Sequence, residues 1–327
     1  MNKKILRKFC IAPMMGYTTP HARNLYRILS KNSFLFTEMI PSGTMLHSKN
    51  IENIIENNNH NPIALQVGGS DHRDLAKCTK IASKHNYDEI NLNLGCPSKA
   101  VQKGRFGACL MKEPELISNC LDSMLNSSDI KVTVKCRIGV DNNTDYDFFY
   151  NFINKIQETG VTTIYIHARS AFLKGLSPKN NRTIPPLKYN YVMKIKESFP
   201  NIEFILNGGI DSLEKAKKLT YKYDGVMVGR LIQNNPFCLS KVDEIFFNEV
   251  CNKNKYNIII SEYFQYIKIR LNKDSIYRLL SPLLNIFFGV HNSKKFRSEI
   301  NEKMRNHEID KLENLFLKFV NEKAENI

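Results

Sequence analysis

The chain has eight cysteines, but none forms a C-x-x-C pair and no Cys/His group shows zinc spacing. The eight are Cys10, Cys78, Cys96, Cys109, Cys120, Cys136, Cys238 and Cys251; the absences argue against a bound metal. Long hydrophobic runs are also missing. The best late stretch, "LLSPLLNIFFGV" (279–290), is broken by Ser281, Pro282 and Asn285 and cannot span a bilayer. The N-terminus, "MNKKILRKFCIAP", is basic, yet its apolar run is too short for a signal peptide. These absences point to a reduced, cytoplasmic enzyme with free thiols and no membrane attachment. Acid is scarce: 32 Asp and Glu face 47 Lys and Arg, for a formal charge of +15. Such an excess suits a polyanion such as nucleic acid, an anionic membrane surface, or lysine spread everywhere by genome bias, and where the charge sits must decide.

What is present is a packed core's worth of apolar residues, 42% of 327. Eight short apolar, β-branched runs recur: 9–14, 34–40, 63–69, 89–95, 132–138, 162–168, 203–209 and 225–230. Most intervals hold a helix, and the first holds only a short one. "HRDLAKCTKIASKH" and "SLEKAKKLTYK" look amphipathic, and the second opens on Asp211-x-x-Glu214, a capping-box pattern. Eight strand–helix units over about 235 residues predict a (β/α)8 TIM barrel rather than a doubly wound sheet. After about Cys238 strands fade. Leu312, Leu315, Phe316, Phe319 and Val320 mark one helix face, and "EYFQYIKIRL" and "IYRLLSPLLNIFF" read as helical. The expected division is a catalytic barrel over 1–242 and a small helical bundle over 243–327.

In such a barrel, function sits at the C-terminal strand ends. "NGG" (207–209) and "GR" (229–230) close the last two strands, where backbone amides and an arginine fork bind phosphate. Gln66, Lys135 and His167 stand at the ends of the third, fifth and sixth. Each alone is more simply a strand-end lysine or a core histidine. Together, beside a phosphate site, they suggest a flavin mononucleotide, with Gln66 toward an imide edge and cations near the ring's anionic end. Cys96 differs from the other cysteines because it opens a Gly-rich basic loop at a strand tip, between Gly95 and Pro97. A free thiol keeps most of its proton near neutral pH. Cys96 is therefore a proton donor, or a nucleophile if a neighbour activates it.

The motifs "APMMGYT", "ALQVGGSD", "NLNLGCPS…GRFGACLM", "VTVKCRIG", "IHAR", "LNGGI" and "GVMVGR" occur in order over residues 12–230. In this the chain resembles the tRNA-dihydrouridine synthases. The segment "KGLSPKNNRTIPPL" (174–187) is similar to the subfamily acting on D-loop uridines 20 and 20a. The resemblance implies FMN held by Pro13, Met14, Met15, Gln66, Lys135, His167, Asn207, Gly208, Gly209, Gly229 and Arg230, with NADPH as reductant. It implies saturation of the uracil C5–C6 bond, with hydride to C6 and a proton from Cys96 to C5. It implies that Asn93 holds the base, flipped out because C5–C6 is unreachable in a stack. It implies tRNA contacts by Lys179, Arg182, Lys294 and Arg297, and the enzyme is expected to act as a monomer. The family usually has arginine and tryptophan where Lys294 and Phe296 stand here, and lysine lacks arginine's bidentate fork.

The basic residues cluster. Residues 169–188 carry Arg169, Lys174, Lys179, Arg182 and Lys188 without an acid, and 99–112 carry Lys103 and Arg105 likewise. Between 268 and 297, seven basic residues meet only Asp274. Clustering favours a phosphate-backbone track. Two alternatives are a dihydroorotate-dehydrogenase-like flavin barrel acting on a free small molecule and a non-catalytic RNA-binding protein. The basic loops argue against the first and the ordered strand tips against the second.

Overall fold

The computed structural model describes residues 6–249, 255–287 and 293–323. All eight apolar runs are strands: β1 (Phe9–Ile11), β2 (Leu35–Pro41), β3 (Ile63–Gly68), β4 (Glu89–Leu94), β5 (Lys131–Arg137), β6 (Thr163–His167), β7 (Glu203–Asn207) and β8 (Gly225–Val228). Their order is β1-β8-β7-β6-β5-β4-β3-β2, and every pair is parallel. A parallel bridge between Cys10 and Phe34 joins the two ends, with Ile11 N–H donating to the Phe34 carbonyl at 2.8 Å. The chain forms the expected (β/α)8 barrel.

Parallel neighbours need long crossovers, and helices supply them. His72–Lys84 starts where Asp71 accepts from the amides of Arg73 and Asp74, and Tyr146–Glu158 starts where Asp145 accepts from Phe148 N–H. The expected cap at Asp211 falls one residue later. Ser212, in extended conformation, accepts from Lys215 N–H at 3.1 Å, while Asp211 pairs with the Lys215 ammonium at 3.3 Å. The hydroxyl is the shorter acceptor and sits where the backbone turns inward, so the carboxylate is left to solvent.

Register levels the strand ends: Arg137 pairs with His167, His167 with Asn207, and Asn207 with Met227. Inside the barrel one half is apolar, built from Cys10, Ala12, Phe34, Phe36, Ala64, Tyr165, Ile205 and Met227. Phe36 meets Tyr165 edge-to-face at 5.0 Å. The other half is polar, with Gln66, Glu89, Asn91 and Thr133 buried at 0–1% exposure.

The described residues divide into two compact units, one of those within 6–16 and 34–229 and one of those within 17–33 and 230–323. In the second, Lys255–Arg270 and Ile309–Lys323 pack together, with Phe264 and Phe316 rings 5.7 Å apart. Leu312, Phe316, Phe319 and Val320 are buried there, as their spacing predicts. The helix expected over 276–288 is broken. Ile276–Leu280 ends before Pro282, which has no N–H to continue the ladder, and a 3-10 turn, Leu283–Phe287, follows. Among the described residues no helix is long and apolar enough to cross a membrane, and no cluster of acids, histidines and cysteines could hold a metal.

Candidate active site

β4 delivers Cys96 to the C-terminal rim. The Asn93 side-chain oxygen accepts from the backbone amides of Gly95 (3.1 Å) and Cys96 (3.0 Å), turning the chain as the strand ends. Ala108 N–H donates to the Cys96 carbonyl, which brings the Gly-rich loop back under the thiol. Gly107 is required there: its φ is +78°, and a Cβ would lie 2.6 Å from the Cys96 oxygen. The Cys96 sulfur is half-buried, 3.5 Å from the Ser98 hydroxyl.

Two further side chains brace this loop, and neither was assigned a role from sequence. Arg137, 3% exposed, donates to the carbonyls of Gly95 (2.9 Å), Ser170 (3.1 Å) and Asn181 (2.9 Å). Gln102 donates to the carbonyls of Pro97 (2.8 Å) and Leu173 (2.9 Å). Both tie the Cys96 loop to the basic loop at 169–188. The available signal was spacing: Arg137 lies two residues beyond Lys135 and so on the same strand face.

The rim is rich in positive charge. Lys135 donates to the Asn207 oxygen at 3.3 Å, and burial, with Arg137 nearby, pushes its ammonium down to about 8. Burial pushes the Arg137 guanidinium down to about 10; nearby Cys96 opposes the fall, and Arg182 and Arg169 add to it. Cys96 is thus within electrostatic reach of both Lys135 and Arg137. Among the described residues no carboxylate forms an ion pair with either cation. Two desolvated cations without a counter-charge mark a place for an anion.

Gln66, Asn93, Cys96, Lys135, His167, Asn207, Gly208 and Gly209 stand together at this end of the barrel. Asn207 donates to the Met227 carbonyl at 2.7 Å, and Tyr189 O–H donates to the Gly208 carbonyl. Gly208 has φ +111°, and a Cβ on it would meet the His167 ring at 2.5 Å. Pro13 and Met14 follow β1 onto the same rim, half-buried, while Met15 is exposed. Gly229 follows β8, with the Met14 sulfur 3.5 Å from where its Cβ would be. Arg230 is exposed and opens the helix Arg230–Asn234, which belongs to the second unit.

Lys179 and Arg182 are exposed on the loop after β6, held in shape by buried Asn181, which bonds both ways with the Phe172 backbone. Arg297 is exposed on Ser293–Arg305; the side chain of Lys294 lies outside the described residues. Phe296 stacks edge-to-face on Phe319 at 4.8 Å, which is a packing contact. The basic tail cluster is partly neutralised by acids both near and distant in sequence. Lys268 pairs with Asp310 and Glu313, and Arg270 and Arg278 share Asp274. Only folding brings residues 310 and 313 to 268.

A dihydrouridine synthase (Dus) family model matches residues 10–323. A tRNA-dihydrouridine(20/20a) synthase of Shewanella oneidensis is 41% identical over 302 residues, covering 92% of this chain and 90% of that protein. Proteins of the same name from Vibrio cholerae (42% over 297 residues, 90% of each chain) and Escherichia coli K12 (41% over 297 residues, 90% of this chain and 86% of that one) are similar. A solved structure of a variant of NCR from Zymomonas mobilis superposes with TM-score 0.50 at 12% identity, covering 75% of this chain and 88% of that one, a likeness of fold alone. With the family model spanning nearly the whole chain, the protein belongs to the dihydrouridine synthase family.

Proposed function

We propose that the chain is a flavin-dependent tRNA-dihydrouridine synthase that reduces the C5–C6 bond of D-loop uridines 20 and 20a, with FMN as cofactor and NADPH as reductant. The observation that carries the proposal is the half-buried Cys96 thiol beside the half-buried Lys135 and the buried Arg137, neither paired with a carboxylate among the described residues. The donor set suits FMN. Lys135 supplies the charge that an anionic ring system needs, Gln66 offers an amide to an imide edge, and Gly208, Gly209 and Gly229 leave backbone open toward a phosphate.

When bound, the flavin supplies hydride to C6 of the uracil. The protein's own groups do the rest. Asn93 holds the flipped base, and Cys96 gives its Sγ proton to C5. Lys135 and Arg137 both lie within electrostatic reach of this sulfur. Lys179 and Arg182, with Lys294 and Arg297 of the helical segment 243–327, bind tRNA phosphates. The enzyme works as a monomer in the cytoplasm.

Purified Cys96→Ala should stay yellow and oxidise NADPH while losing at least about a hundredfold in tRNA reduction. Wild-type turnover of unmodified tRNA by that variant would rule out the acid role.

A further inference from the structure

A hydrogen-bonded chain runs through the polar half of the barrel, from the foot of β4 to the Cys96 amide. At its foot Glu89 accepts from Arg7 Nη2 (2.6 Å) and Nε (3.1 Å), from Tyr165 O–H (2.8 Å) and from Thr133 O–H (3.1 Å). Asn91 Nδ2 donates to Thr133 Oγ1, Gln66 Nε2 to Asn91 Oδ1, and Asn93 Nδ2 to Gln66 Oε1, each at 2.8 Å. Asn93 Oδ1 closes the chain on the amides of Gly95 and Cys96. Every member is at most 7% exposed until the rim is reached.

The direction of this chain is fixed at both ends: the amides at the rim can only donate, and the foot agrees. A carboxylate facing a guanidinium can only accept. Thr133 has one proton and spends it on Glu89, so its oxygen must accept from Asn91. The oxygen of Asn91 must then accept from Gln66, and the oxygen of Gln66 from Asn93. An amide side chain by itself fits either way round with little difference in shape. Here the carboxylate at the foot and the backbone amides at the rim demand the same orientation of all three. After these bonds Gln66 keeps one N–H and one lone pair. Asn93 keeps one N–H and no lone pair, since both are taken by backbone amides. Toward a substrate, Asn93 is therefore a donor only.

We propose that Glu89, at the end of β4 remote from Cys96, is a positioning residue: through Thr133 and Asn91 it holds Gln66 and Asn93, from below, in the same donor orientation that the amides of Gly95 and Cys96 impose from the rim. The active site then presents a donor and an acceptor on Gln66, and on Asn93 a donor that suits a pyrimidine carbonyl oxygen. The inference rests on the flavin and base roles proposed above for Gln66 and Asn93.

The test uses Thr133→Val, which keeps the shape and removes the proton, and Thr133→Ser, which keeps the proton and removes a methyl. Two quantities are read on FMN-stripped protein: the Kd for FMN by quenching of flavin fluorescence, and the rate of Cys96 alkylation by iodoacetamide followed by peptide mass spectrometry. Thr133→Val should raise the Kd about tenfold and speed alkylation severalfold, the loss expected of one buried hydrogen bond that orders two more. Thr133→Ser should stay within about twofold of wild type in both, since its hydroxyl still donates. Wild-type values for Thr133→Val, or equal impairment in both variants, would overturn the proposal, the latter because it would trace the effect to the methyl. If Thr133→Val does not fold, Asn91→Ala breaks the chain one link later and the same two readings decide. Failure of the wild-type protein to bind FMN would instead defeat the flavin assignment, while the alkylation comparison would still judge the chain.

Discussion

Replacing Arg137 with methionine removes the clamp between the Cys96 loop and the basic loop after β6. The guanidinium makes three bonds to buried carbonyls, each worth roughly 1.5–2 kcal/mol for a charged donor. Against this stands the cost of holding the charge out of water. Its pKa is pushed down to about 10, which corresponds to about 3 kcal/mol. The net loss on substitution is about 1.5–3 kcal/mol, or a fall of about 3–12 °C in Tm for a unit of this size. Arg137→Lys should recover little of it, because one ammonium cannot span three carbonyls in three segments. Thermal unfolding of FMN-stripped protein measures the first effect. Steady-state tRNA reduction measures the second, expected mainly as a lower kcat because the thiol loses its fixed place. A Tm within 1 °C of wild type (the error of ordinary melts is about that), together with unchanged kcat, would show that the clamp carries nothing.

Lys135→Met should stabilise FMN-stripped protein by about 2 kcal/mol at pH 7, after allowance for solvent at the rim. The sign follows from the lowered pKa. Between about 8 and 10.5 the folded lysine sheds its proton while the unfolded one keeps it, so wild-type stability rises with pH and the gap to Lys135→Met closes. Urea midpoints across that range test it, and a gap independent of pH would contradict it. Gly208→Ala forces a side chain into φ +111° and against His167, and should lower FMN content sharply, read from the absorbance ratio of purified protein. Lys179→Ala with Arg182→Ala should weaken tRNA binding and flatten its salt dependence by about two units of slope, with FMN content unchanged. Loss of FMN in that pair would mean that the loop serves the cofactor.

The barrel was legible because its strands are buried on both faces and therefore spelled out as apolar runs. The rim residues followed from reading what stood at each run's end. The buried polar chain did not, although its trace is visible in "EINLNL", where Glu89, Asn91 and Asn93 alternate with Ile90, Leu92 and Leu94. That alternation ordinarily marks a strand with one face in water, and here the polar face points into the barrel. Arg137 was missed because its partners are carbonyls, which leave no trace in side-chain identity. The cap at Ser212 was missed by one place because Asp and Ser both cap, and the turn decides between them. The partners of Lys268 were missed for a similar reason: Asp310 and Glu313 reach it only through tertiary packing.

Asp243 has a practical consequence for dissecting this molecule. Its carboxylate accepts from the Ser30 hydroxyl at 2.6 Å and from the amides of Lys31 (2.7 Å) and Asn32 (3.2 Å), more than two hundred residues upstream. The helix Pro20–Leu29 that this contact terminates is counted with the C-terminal helices. A truncation that isolates residues 230–327 therefore discards a wall of the very body it means to study, and leaves an acid that has lost all three donors. An excised version needs the 17–33 segment supplied, either as a fused graft or as a peptide added in trans.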